Sequence, residues 1–354
     1  MSIPLYAELH CRSNFSFLTG ASHPEELVQR AHELGYAALG LTDECSLAGV
    51  VRAHGEAKRL SLHLLVGAEM RLTTPDDGSP HARLVVLAQT RRGYGNLSHW
   101  ITVARRRAPK GSYLAHPGDV EGKVPNAPTL AGLPDCLALL VPQPSQPFEE
   151  VYAHAMWLKT WFQDRAAIAL ELLHRAGDDE LLEVVRRVAD FTGLPIVAAG
   201  DVLMHVRSRK PLQDTLTATR LSMPVAQCGL QLQSNAEQHL RSRARMAALY
   251  EAEWLENSVR LASRCGFSLS ELRYEYPEEI VPKGQTPTSW LRELTYRGVP
   301  DRFPKGLPPE VAKTIEHELA LIRQLEYEPY FLTVADIVRW ARGQKILCQG
   351  RGSA

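Results

Sequence analysis

The sequence predicts an α/β fold, on two observations. Along residues 3–220 short apolar runs alternate with stretches of helical periodicity, and acids or histidines stand where apolar runs end. Strands buried on both faces read as continuous apolar runs, and their alternation with helices marks α/β architecture, as an open sheet or a barrel. The first run, residues 5–9, stops at His10. A helix is then announced by Ser22 as N-cap, Pro24 in the first turn and Glu25 closing a capping box on Ser22. Leu27, Ala31 and Leu34 share one face of it, and Gly35 ends it. Residues 37–41 (AALGL), 63–66, 83–88, 167–172 and 195–199 read as further buried strands. Residues 47–60 and 178–192 read as helices between them.

Residues 111–147 are rich in Pro and Gly and predict a long surface excursion, within which 137–141 could form one more strand. Residues 235–265 predict a helix stopped by Gly266. Residues 274–288 read as a Pro/Gly-containing linker, and 309–342 as a helical region interrupted at Pro329. The expected organisation is therefore one domain over residues 1–270, a linker over 271–288 and a second domain over 289–354.

Composition excludes several classes. Lys plus Arg number 40 and Asp plus Glu number 40, so the net charge is zero, where a DNA-binding module is usually basic. The six cysteines are scattered with no CxxC pair, which fits neither a disulfide scaffold nor a structural zinc site and suits a reducing cytosol. No secretory signal and no run long enough to span a bilayer is visible, so the reading is cytoplasmic with no membrane partner.

Four polar sites stand at strand ends: His10, the pair Asp43 and Glu44, Glu69, and Asp201. In a β/α barrel, functional groups gather at the carboxyl ends of the strands, where loops vary without disturbing the core. Carboxylates and an imidazole converging there suit a hard or borderline metal ion. Each taken alone is more often a helix cap.

The motifs His10-Cys11-Arg12-Ser13-Asn14-Phe15-Ser16, Leu41-Thr42-Asp43, Val66-Gly67-Ala68-Glu69, Gly93-Tyr94-Gly95-Asn96-Leu97 and Gly200-Asp201-Val202 resemble, in order, those of the polymerase-and-histidinol-phosphatase (PHP) domain. The resemblance implies a distorted β/α barrel over about residues 1–270 and, in active members, a cluster of up to three metals for phosphoester hydrolysis. Several positions depart from the active pattern. Arg12 stands where active members have His, Glu44 where they have His, Leu203 where they have His, and Thr19 where an acid often precedes Gly20. Guanidinium and leucine side chains offer a metal no lone pair. Arg12 could instead neutralise the acids through forked hydrogen bonds, and we expect it to pair with Glu44 or Asp43. The expected site (His10, Arg12, Asp43, Glu44, Glu69 and Asp201) is then vestigial and without metal, unless His205 turns inward to replace the missing histidine.

Residues 316–334, with Glu326-Tyr327-Glu328-Pro329-Tyr330-Phe331-Leu332, resemble the entry to the palm of the bacterial C-family DNA polymerases, the polymerase III α type. Gly350-Arg351-Gly352-Ser353 is similar to that family's glycine loop. Small residues bring backbone N–H groups close to phosphate oxygens, while Ser and Arg add a donor and a charge. The resemblance implies nucleotide binding by Gly350, Arg351, Gly352 and Ser353. It places the family's catalytic aspartates and their magnesium ions beyond Ala354, so no catalytic residue is expected within the chain. It further implies primer–template DNA, dNTPs, a sliding clamp and damage-response accessory proteins as partners. Glu44-Cys45-Ser46-Leu47 and Val206-Arg207-Ser208-Arg209-Lys210-Pro211 point to the damage-inducible, error-prone branch that performs translesion synthesis. The competing readings are a metal-dependent phosphoesterase or 3′ exonuclease, and a non-catalytic interaction platform. Arg105, Arg106, Arg107 and Lys110, and the cluster Arg207, Arg209 and Lys210, read as solvated surface before DNA contacts. Arg339, Arg342 and Lys345 are better placed for phosphate.

Overall fold

The computed structural model describes residues 3–75, 78–273 and 280–349. Seven strands form one sheet in sequential order: β1 (Ala7–Cys11), β2 (Ala38–Leu41), β3 (His63–Thr73), β4 (Pro80–Ala88), β5 (Cys136–Leu140), β6 (Ala166–Leu170) and β7 (Ile196–Ala198). All neighbours pair in parallel except β4, which runs antiparallel to both β3 and β5. The sheet curls into a nearly closed barrel, and a parallel bridge between Cys11 and Val202 joins the first strand to the segment after the last. The helices of this first unit are α1 (Pro24–Glu33), α2 (Val50–Leu60), α3 (Arg91–Arg106), α4 (Pro117–Val120), α5 (Phe148–Phe162), α6 (Asp178–Thr192), α7 (Lys210–Leu221), α8 (Arg243–Leu249) and α9 (Ala252–Ser263).

Alternation along each strand separates two cores. Leu39, Leu41, Val66, Met70, Leu84, Val86, Ile168 and Leu170 point outward and pack under the helices. Ala7, Leu9, Leu65, Val85, Leu87, Leu137, Leu139, Ala167, Ala169 and Val197 point inward and fill the barrel, so it is a packed core and not a pore. The open side at the base is covered by α9. Its buried Ser258 hydroxyl accepts the Ala7 N–H at 3.1 Å, and Asn257 donates to the Ile196 carbonyl at 2.9 Å. Two edge strands thus find partners without pairing with each other. Leu261, Ala262 and Cys265 follow into the interior.

Several expectations change. The first helix is capped one residue later than expected: the His23 N–H donates to Glu26 at 2.8 Å, which frees Ser22 for another role. Residues 111–147 are not a surface excursion. Ala115, Val120, Leu130 and Leu133 are fully buried, and Ala115 bridges to Leu72 at the end of β3. The prolines and glycines there make turns, but the apolar residues between them dock. Residues 235–265 are not one helix either. A strap reaches Arg241, and α8 and α9 meet at Tyr250, whose buried hydroxyl donates to the Ala199 carbonyl and accepts the Leu172 N–H.

A second compact unit spans Arg273–Ala354. It holds α10 (Pro287–Arg297), α11 (Val299–Arg302), α12 (Pro309–Gln324) and α13 (Glu328–Gly343). The interruption expected at Pro329 falls just before it: Glu326 takes positive φ, and Pro329 sits in the first turn of α13, where its missing N–H costs nothing. Residues 274–279 of the expected linker lie outside the described residues.

Two glycines of α3 separate backbone necessity from helix propensity. A Cβ on Gly93 would lie 1.9 Å from the Asp135 carbonyl oxygen, while one on exposed Gly95 would meet nothing. Gly95→Ala should stabilise by about 0.5–1 kcal/mol. Gly93→Ala should destabilise by about 2 kcal/mol or more, since backbone must move. Urea unfolding of both variants measures the opposed signs.

Candidate functional site

The polar residues at the strand ends continue the inward-facing rows of the barrel. Above Leu65 on β3 stand Gly67, Glu69 and Arg71; above Ala169 on β6 stands Glu171; above Val197 and Ala199 stands Asp201. Strand β4 runs the other way, so its beginning reaches the same rim, and Arg83 stands above Val85. Strand β1 carries one extra residue: Glu8 pairs with Leu39 and Cys11 with Leu41, so three steps on β1 match two on β2. That bulge re-aims His10 and Arg12 into the barrel mouth. The result is a buried charged layer lying on an apolar one.

His10, fully buried, is held between two acids. Its Nδ1 lies 2.6 Å from Glu171 Oε1 and its Nε2 2.8 Å from Glu69 Oε2. Carboxylates only accept, so both ring nitrogens must donate, and the ring is an imidazolium. Burial pulls the His10 pKa down, but the charge of Glu171 and the hydrogen bonds to Glu171 and Glu69 outweigh it, leaving a value of about 9. Arg83 donates through one terminal nitrogen to Glu69 Oε2 and Asp201 Oδ1, both at 2.7 Å. Arg12 reaches Asp201 Oδ1 at 2.5 Å and Glu69 Oε2 at 3.3 Å. Burial would raise the carboxyl pKa values of Glu69 and Asp201, yet the Arg12 and Arg83 guanidiniums hold both below the ordinary range. Three buried carboxylates thus face two buried guanidiniums and an imidazolium. Half-exposed Arg71 donates to Glu69 Oε1 at 2.8 Å and is balanced by Glu44 at 3.4 Å, so the group is neutral. Gln238 donates to Asp201 Oδ2 at 2.7 Å.

The expected pairing of Arg12 with Glu44 or Asp43 does not form. Asp43 leaves β2 on the far side of Thr42 and is taken up locally, accepting from Ser13 N–H at 2.7 Å, Ser13 Oγ at 2.8 Å and Ser16 Oγ at 2.7 Å. Burial raises its pKa against these bonds. Glu44 faces outward, accepting from Tyr113 at 2.9 Å and lying 3.4 Å from Arg71. His205 does not turn inward. The unused cap residue Ser22 holds it, with Ser22 Oγ 2.8 Å from Nδ1 and accepting the His205 N–H at 2.9 Å. Leu203 is buried against the strap. Gly350, Arg351, Gly352 and Ser353 lie outside the described residues.

Five of the seven basic residues in the clusters at 105–110 and 207–210 are engaged within the protein. Arg105 donates to the Cys45 carbonyl at 2.9 Å and Arg107 pairs with buried Asp119 at 2.6 Å. Arg207 pairs with Glu237, Arg209 with Glu26 and Lys210 with Asp214. Two members of the charged layer escaped the sequence reading. Glu171 was absorbed into the apolar run 167–172, although it is an acid at a strand end like the others. Arg83 reads in the sequence as the start of a strand, and nothing in periodicity says which way a strand runs.

His10, Glu69 and Asp201 each present a ligand atom within 4.8 Å of the others, the only such group among the described residues. The donor set does not fit a cation as it stands. Arg83 Nη2 lies 2.7 Å from Glu69 Oε2, 2.7 Å from Asp201 Oδ1 and 3.5 Å from His10 Nε2. Zinc bound by those same atoms would need about 2.0–2.2 Å to each, and the Arg83 guanidinium already uses the same oxygens of Glu69 and Asp201.

Known proteins resemble the chain along its length. Residues 8–173 match the PHP domain family, and residues 289–354 match the bacterial DNA polymerase III alpha NTPase domain family. An error-prone DNA polymerase of Bordetella parapertussis is 57% identical over 99% of this chain, and one of Dechloromonas aromatica is 54% identical over all of it. One of Methylococcus capsulatus is 52% identical over 99%. The chain spans about a third of these relatives, 33%, 33% and 32% of their lengths respectively. No described helix is long and apolar enough to cross a membrane.

The raised pKa of His10 sets a pH dependence. Its stabilising contribution is complete below the unfolded value near 6.5 and is lost as pH rises through about 9. Urea unfolding between pH 6 and pH 9.5 should show the protein losing about 3 kcal/mol more than its His10→Gln variant over that span. Parallel pH profiles would mean that His10 is neutral in the fold.

Proposed function

We propose that the chain, which is similar along its length to error-prone DNA polymerases and matches the PHP domain family over residues 8–173, forms the amino-terminal part of a C-family, DNA-templated polymerase acting in damage-induced, translesion synthesis. The observation that carries the reading is identity of 57% to such a polymerase over 99% of the chain. In this reading the barrel is a support, and its charged layer does no hydrolysis. Two guanidiniums already satisfy the acids that a phosphoesterase would need for metal. That arrangement disfavours the phosphoesterase and 3′ exonuclease alternatives.

In the sequence, α12 and α13 precede residues 350–353. A loop of Gly350, Arg351, Gly352 and Ser353 would bind the triphosphate of an incoming nucleotide through backbone N–H groups, the Ser hydroxyl and the Arg charge. The family's catalytic aspartates follow this loop, at positions after Ala354. Magnesium bound by those aspartates activates the primer 3′ hydroxyl and stabilises the departing pyrophosphate. Primer–template DNA, dNTPs, a sliding clamp and accessory proteins of the damage response are the partners this implies, in the cytoplasm.

Primer extension tests the reading. The complete gene product should extend a primed template, and residues 1–354 alone should not. Arg351→Ala in the complete protein should raise the KM for dNTP about tenfold, with primer–template binding unchanged. Hydrolysis of a 3′-terminal nucleotide or of p-nitrophenyl phosphate by residues 1–354, dependent on added Mn2+ and abolished by Glu69→Gln, would overturn the supporting role of the barrel.

A further inference from the structure

We infer that Arg83 is the resident cation of the barrel mouth, and that removing its guanidinium uncovers a divalent-metal site made by His10, Glu69 and Asp201. The inference rests on the barrel being a non-hydrolytic support. Three facts carry it. The terminal nitrogen of Arg83 lies within hydrogen-bonding distance of Glu69 and Asp201 and 3.5 Å from His10 Nε2, the point from which a metal would reach all three. Arg83 arrives there on the one antiparallel strand, opposite the parallel strands that supply the acids, so the position is built into the sheet. Its Nε has no hydrogen-bond partner, as is true of Arg12, so the guanidinium serves through its end, as a point charge. The use of Arg83 as a point charge separates it from an ordinary forked salt bridge. An ammonium group could then do the same work, which a bidentate site would not accept.

Arg12 is the second cation and is not equivalent. It shares Asp201 with Arg83 but lies 3.3 Å from Glu69 and makes no ion pair with Glu171, which Arg83 approaches at 3.7 Å. Loss of Arg83 therefore leaves the layer one positive charge short. Glu69 keeps His10, Arg12 and, on its other oxygen, Arg71 at 2.8 Å, while Glu171 keeps His10. None of these fills the place of the Arg83 nitrogen between Glu69 Oε2 and Asp201 Oδ1. A small divalent ion with three protein ligands and room for solvent fits the space that the guanidinium vacates.

The test uses residues 1–354 with Mn2+ or Zn2+ alone, measuring metal content by elemental mass spectrometry after dialysis and stability by thermal unfolding. The wild type should hold substoichiometric metal and unfold at the same temperature with or without the ion. Arg83→Met should unfold about 5 °C or more lower in metal-free buffer. It should bind one ion per chain at least about tenfold more tightly than the wild type, and recover stability on binding. Arg83→Met with Glu69→Gln should lose that binding. Arg83→Lys should keep wild-type stability without metal, and it holds the inference open to test should Arg83→Met fail to fold. Stoichiometric metal in the wild type, a folded Arg83→Met that binds no better than wild type, or an Arg83→Lys variant as unstable as Arg83→Met would each overturn it. Primer extension by the complete protein is a separate readout, so failure here leaves the polymerase reading to its own assay.

Discussion

The structure turns on the neutralisation of three buried carboxylates at the mouth of the barrel. Glu69, Glu171 and Asp201 come from β3, β6 and the turn after β7, and the groups that balance them come from β1 and β4. Five of seven strands are thereby tied together above the apolar interior. That tie matters because backbone pairing closes this barrel weakly: β1 and the segment after β7 share one isolated bridge. An uncompensated charge at such depth would cost several kcal/mol, so each member of the layer holds the others in place. The closure is ionic at the rim and hydrogen-bonded at the base, where Ser258 and Asn257 of α9 satisfy the two open edges.

Two departures from a regular parallel barrel make the balance possible. The bulge in β1 gives His10 and Arg12 their inward aim, where strict alternation after Ala7 and Leu9 would send both of them under the helices. The reversal of β4 brings the start of a strand to a rim otherwise made of strand ends. Neither departure has an obvious purpose within the apolar core. Both deliver cations to the acids.

These two features were also the least legible in the sequence. Periodicity carries the fold class, because Ala-Ala-Ile-Ala-Leu and its counterparts are too short for helices and too apolar for loops. Periodicity has no direction, however, so Arg83 read as a strand beginning far from the strand ends. A one-residue bulge leaves the apolar pattern almost unchanged, so Arg12 was assigned to the wrong acids. Glu171 was hidden for another reason, being flanked by leucines that made it look like part of the run. In residues 111–147, Pro and Gly reported turns correctly, but turns are compatible with burial when Ala115, Val120 and Leu130 lie between them. Ser22 was legible as a polar residue at a helix entrance. Its engagement of His205 depends on a chain segment 183 residues away, which no local rule contains.

A mouth filled by guanidiniums is also a state from which single substitutions do not easily depart. Replacing Glu69 alone leaves Arg83 to Asp201 and frees one face of His10. Replacing Arg83 alone leaves Glu69 to His10, Arg12 and Arg71, and Glu171 to His10, so each change leaves the layer one charge out of balance. An apolar rim of equal volume could be just as stable, but reaching it requires changing acids and bases together. Each intermediate would carry an uncompensated charge shared by the buried layer. Acids arranged as a metal site would need them can therefore be held in place by cations of the chain itself. Their presence is on that account poor evidence for hydrolysis: what decides the chemistry is whether the space between them is open, and here Arg83 Nη2 stands in it.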